Sequence, residues 1–168
     1  SWGLVPGTRA RLPIGARWPG VLELGLNAAG HHVSVLEDCL NGRRTVWEDP
    51  FKAGRNGREG LALRMEIHSP LSLVILLLGT NDFQASHPQN NARASAQGIA
   101  TLVQEIRAAP IEPGMPAPPV LIVCPPPAGE PTGDVGWKFA GARERSAGLP
   151  AAYQEMARQL GCSFFDAG

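Results

Sequence analysis

Net charge is the first thing this sequence lacks: 15 Lys and Arg balance 15 Asp and Glu, and no long block of one sign occurs. That argues against a nucleic acid or an anionic membrane as partner. Cysteine is scarce. Cys39, Cys124 and Cys162 are odd in number and show no Cys-x-x-Cys spacing. This disfavours a disulfide framework and a zinc site and suits a reducing compartment, so a cytoplasmic location is expected. The longest apolar stretch, around Leu71 to Leu78, is too short to cross a bilayer. No signal peptide is visible, although the chain opens on Ser1 rather than Met. No Gly-rich loop opens a helix after a strand, which sets aside a flavodoxin-like nucleotide binder. No internal repeat and no domain boundary stand out.

What is present is globular. Hydrophobic residues make up 43% and charged residues 18% of 168 positions, enough for one domain, residues 1–168, with a proper core. The 20 Gly and 16 Pro are scattered, which predicts many loops rather than a linker. Four apolar runs predict strands: Val33 to Leu36, Leu73 to Leu78, Val120 to Cys124 and Cys162 to Phe165. The middle two are almost continuously apolar, as strands buried on both faces of a parallel sheet are. Helical periodicity lies between the runs. It involves Trp18, Val21, Leu22 and Leu26, with an end near Gly30; Leu61, Leu63 and Met65; Ile99, Leu102, Val103 and Ile106; and Leu149, Tyr153, Met156 and Leu160, with Gly161 as C-cap. The alternation predicts an α/β class with a parallel sheet.

Two loops could carry chemistry. Gly79-Thr80-Asn81-Asp82 follows a buried strand; the glycine permits a sharp turn, the Asn81 amide can donate into the cleft at the strand ends, and Asp82 can hold the turn. Gly42, after the first predicted strand, allows a backbone N–H to approach a reacting oxygen. Each can also be a plain turn, which is the simpler reading for Gly42, and the residues alone leave both readings open. Phe83, Trp2 and Trp137 could shape an apolar acyl or aryl pocket, with Trp47 read as packing. His87 lies close enough to Asn81 in sequence to line the same cleft, whereas His31, His32 and His68 read as solvated boundary residues, and none has metal-site spacing. Cys124 reads as a small buried residue. Ser1, a hydroxyl beside a free amine, is a weak stand-in nucleophile.

In order along the chain, several blocks resemble the SGNH (GDSL-type) hydrolases, in their arylesterase/acyltransferase branch. Gly79-Thr80-Asn81-Asp82 is similar to that family's third block, and Leu40-Asn41-Gly42-Arg43-Arg44-Thr45 to its second. Ser1-Trp2-Gly3 looks like the tail of a Gly-Asp-Ser-x-(Ser/Thr)-Trp-Gly first block. Arg17 to Leu22, Val123 to Pro127 and Phe164 to Gly168 resemble further segments of the branch. The resemblance implies a three-layer α/β/α, flavodoxin-like parallel sheet and a serine ester hydrolase or acyltransferase acting on short-chain acyl esters. It implies an oxyanion hole made by the serine N–H, the Gly42 N–H and the Asn81 amide. No metal or organic cofactor is implied; the implied partner is a small-molecule ester, and a homo-oligomer stays open.

The departures are specific. The resemblance places the nucleophilic serine just ahead of Ser1 and the Asp-x-x-His pair beyond Gly168, so the expectation is a domain incomplete at both ends. Arg44 stands where this branch commonly has Thr. The rival reading is a non-catalytic binding module on the same fold that lacks the triad. An unpaired edge at the middle of its sheet weighs against that reading.

Overall fold

The computed structural model describes residues 2–5, 7–133 and 136–168. The chain divides into two compact units, Ser1–Gly42 and Arg43–Gly168.

The larger unit is built on three parallel strands, β1 (Val74–Leu77), β2 (Val120–Cys124) and β3 (Ser163–Asp166), in that spatial order. Leu76 pairs with Ile122, and Ile122 with Phe164. β2 is central and almost wholly buried, whereas Phe165 on the edge strand β3 is 57% exposed. Parallel neighbours need a crossover between them. Helix α3 (Ala92–Arg107) lies between β1 and β2 in sequence, and α4 (Ala142–Arg145) and α5 (Leu149–Leu160) lie between β2 and β3. α2 (Leu61–His68) precedes β1. α3 packs on α5 and α2, and α5 packs on β2 and β3. Ile99, Leu102, Val103 and Ile106 from α3 meet Tyr153 and Ala157 from α5 and Ile122 from β2 in one apolar core. The expected α/β class with a parallel sheet is what forms.

Sequence signals explain a few of the element ends. Asn91 caps α3, its side chain accepting from Ala94 N at 3.0 Å. Gly161, left-handed at φ 60°, ends α5 as expected. α3 begins well before Ile99, because Ala92, Ser95, Ala96 and Gly98 are buried but too small to register as a hydrophobic stripe.

In the smaller unit, α1 (Trp18–Ala28) starts with Pro19 in its first turn and stops short of Gly30, left-handed at φ 88°. The carboxylate of Glu37 holds Arg11 at 2.6 Å and Arg17 at 2.5 Å. The strand expected over Val33 to Leu36 does not form. Side chains of α1 satisfy its backbone instead of a neighbouring strand. Asn27 exchanges two hydrogen bonds with Val33, at 2.9 and 3.0 Å, and Glu23 accepts from Val35 N at 2.6 Å. Apolar, β-branched composition suits a strand, but a ladder partner makes one.

Candidate active site

β1 ends in a turn that its own glycine makes necessary. Gly79 sits at φ 127°, and a Cβ there would lie 2.4 Å from the Tyr153 hydroxyl. Thr80–Phe83 then form one 3-10 turn at the C-terminal end of the strand, the edge where α/β folds gather their sites.

Within that turn Asp82 is fully buried and faces the protein. Its Oδ1 accepts from Thr45 N at 2.8 Å, and its Oδ2 accepts from the Thr45 hydroxyl at 2.8 Å and the Ser95 hydroxyl at 2.6 Å. Asn90 Nδ2 donates to the Asp82 carbonyl at 3.1 Å. Tyr153 Oη lies 2.7 Å from Ser95 Oγ and 3.1 Å from the Leu78 carbonyl, so its single hydrogen is shared between them. Burial pushes the Asp82 carboxyl up, and the hydroxyl and amide donors together with Arg44 pull it back. Asp82 is thus a fastening between the turn, the 43–49 loop and α3. The sequence identifies its turn-holding role, while Thr45, Ser95 and Tyr153 carry no local signal of it.

Asn81, next to it, is only half-buried. Its Nδ2 donates to the Arg43 carbonyl at 3.1 Å, and its Oδ1 accepts from Gln84 Nε2 at 2.9 Å. One Nδ2 hydrogen remains without an acceptor among the described residues. Gly42, at φ 83°, is the last residue of the smaller unit, covalently ahead of Arg43.

Arg44, a departure from the resembled pattern, is 1% exposed. Its guanidinium donates to the Glu48 carbonyl, Gln84 Oε1 and His87 Nδ1, each at 2.6 Å, and to Ser86 Oγ at 3.1 Å, with Asp49 Oδ2 at 3.4 Å. Burial lowers its pKa, and Asp49 and Asp82 oppose that. Because a guanidinium only donates, His87 must present an unprotonated Nδ1 to it. Burial first, then Arg44, holds the imidazole below its ordinary value. The His87 ring also lies 6.2 Å from Trp47. His87 therefore faces Arg44 through Nδ1.

Phe83 is 1% exposed, yet it lines a small apolar recess with Thr80, Pro125, Pro127, Leu149 and Pro150. The recess joins the ends of β1 and β2. Trp137, 69% exposed, sits on a 3-10 turn over Gly136–Phe139. The next residue, Lys138, accepts from Ala85 N at 2.8 Å through its carbonyl, which brings that turn to the loop after Phe83. Trp2, in the smaller unit, stacks under Arg11 at 4.7 Å. Ser1 lies outside the described residues. Cys124 is buried, and burial with Asp166 pushes its thiol up to about 11, which keeps it un-ionised and inert. The three remaining histidines are exposed, as expected.

The chain has a match in a known sequence family. Residues 8–168 match the GDSL-like lipase/acylhydrolase family. The chain belongs to that family. Solved structures agree. Est24, a carbohydrate acetylesterase from Sinorhizobium meliloti, superposes with a TM-score of 0.90 at 32% identity, over 99% of this chain and 79% of that one. The inhibitor-bound aryl esterase of M. smegmatis gives 0.89 at 33% identity, over 99% and 79%. A further carbohydrate acetylesterase family member from Sinorhizobium meliloti gives 0.87 at 34%, over 98% and 77%. A comparison with curated proteins gives no match. The family supports an esterase or acylhydrolase activity, and the resemblance read from the ordered motifs is borne out.

Proposed function

We propose that the protein is a serine ester hydrolase for short-chain acyl esters, working through an acyl-serine intermediate. The observation that carries this reading is the Asn81 amide at the end of β1, pinned by one hydrogen to the Arg43 carbonyl with its second hydrogen unclaimed among the described residues. In the proposed reaction a serine of the complete protein attacks the ester carbonyl, and the carbonyl electron pair moves onto oxygen. The Asn81 amide and the Gly42 N–H donate to that oxyanion. Collapse expels the alcohol, which takes the proton the serine gave up, and leaves the acyl-serine. Water attack and a second collapse, with a water proton returned to the serine oxygen, free the acid, and an alcohol in place of water would give acyl transfer. The apolar recess at Phe83 and Pro125 would take the acyl or aryl portion, with Trp137 and His87 toward the substrate. Similarity to a carbohydrate acetylesterase and an aryl esterase favours small acyl groups.

The test is a serine-directed fluorophosphonate probe on the full-length protein, together with a burst assay on 4-nitrophenyl acetate. Stoichiometric labelling and a burst of nitrophenol support the reading. Neither labelling nor turnover would favour the non-catalytic binding module.

A further inference from the structure

We propose that Gln84 and Arg44 are positioning residues that fix the polarity of the Asn81 amide, an inference that rests on the oxyanion role just assigned to Asn81. Four groups stand in line. Arg44 Nη2 donates to Gln84 Oε1 at 2.6 Å, Gln84 Nε2 donates to Asn81 Oδ1 at 2.9 Å, and Asn81 Nδ2 donates to the Arg43 carbonyl at 3.1 Å. The two ends of the line have no freedom: a guanidinium can only donate and a main-chain carbonyl can only accept. Between them lie two side-chain amides, each with one accepting and one donating end. A single arrangement satisfies all three contacts, and it turns Asn81 so that the nitrogen, not the oxygen, keeps a hydrogen to spare.

Polarity matters here because the two ends of an amide have nearly the same shape. An Asn81 amide rotated by half a turn would fit the same space and offer the oxyanion a carbonyl oxygen, replacing attraction by repulsion. The line makes that rotation unfavourable at both ends. Its anchor is held firmly: Arg44 and Gln84 are each 1% exposed, and Glu48, Ser86, His87 and Asp49 engage the two Nη groups of the guanidinium. A buried charge with that many partners cannot turn without stranding several of them. Gln84 and Arg44 act on the oxyanion through Asn81.

Gln84→Glu tests this with little change of shape. The new carboxylate still accepts from Arg44 but cannot donate to Asn81, so Asn81 meets an acceptor on both sides. In the full-length protein, kcat on 4-nitrophenyl acetate is expected to fall by about tenfold or more, with KM changed by less than about threefold. In an Asn81→Ala background the same change is expected to alter kcat by less than about twofold, since its effect passes through Asn81. A Gln84→Glu enzyme with wild-type kcat, beside a slow Asn81→Ala enzyme, overturns the positioning role and leaves the oxyanion reading standing. An equal loss in both backgrounds also overturns it, because the added charge then acts through space. A wild-type rate for Asn81→Ala removes the oxyanion reading and this one with it. If thermal melting shows that Gln84→Glu does not fold, the neutral Gln84→Met takes its place in the same cycle, with the same expected and overturning results.

Discussion

Thr45 gives both of its donors to one carboxylate, its N–H to Asp82 Oδ1 and its hydroxyl to Asp82 Oδ2, each at 2.8 Å. Both residues are fully buried. The loop that begins at Arg43 and the turn that carries Asn81 are thereby fastened side by side.

Thr45→Val keeps the shape and the N–H but removes the hydroxyl donor. A hydrogen bond to a charged group is worth about 1.5–3 kcal/mol, and here Asp82 retains Thr45 N and Ser95 as donors. Urea unfolding is expected to show a loss within that range. An unchanged midpoint would mean that Asp82 does not depend on the hydroxyl.

Two glycine-to-alanine changes should have opposite signs. A Cβ at Gly98 in α3 would lie 2.2 Å from Thr45 Oγ1 and 2.8 Å from Thr45 Cβ, so Gly98→Ala forces the fastened loop away and should cost about 1–3 kcal/mol. At Gly25 in α1 nothing lies within 4 Å of a Cβ, and Gly25→Ala should stabilise by about 0.5–1 kcal/mol through helix propensity. Melting temperatures of the two variants test both signs at once.

These two glycines show what the sequence carries and what it does not. Apolar periodicity identified α5 almost to the residue, and the run Val120 to Cys124 identified β2, because a central strand is apolar on both faces. The first turns of α3 escaped notice because the residues that bring it close to Thr45 and Tyr153 are Ala, Ser and Gly. Val33 to Leu36 has a strand's composition and no ladder to join. At the site, Asn81 and Asp82 were legible from their place after β1. Gln84 was not, although its spacing of three from Asn81 suits a contact across one turn. The buried environment of Arg44 depends on Gln84 and His87, some forty positions away, and no local pattern encodes that.

Acid should weaken the fold through His87. Burial and Arg44 hold its imidazole below the ordinary value, with Asp49 opposing. The unfolded chain therefore binds that proton more readily than the folded one. This contribution is fully present above the unfolded value of about 6.5 and is lost as pH falls below it through the lower folded value. His87→Gln, which keeps an acceptor for Arg44, should flatten the decline in urea midpoint between about pH 7 and pH 5. Parallel profiles for wild type and variant would contradict this.

The most direct measurement is the turnover of the full-length Asn81→Ala enzyme on 4-nitrophenyl acetate, with fluorophosphonate labelling as a check that the nucleophile is intact. The oxyanion account predicts a kcat lower by about 10²–10³, KM within about threefold, and labelling retained. A kcat equal to that of the wild type would contradict it.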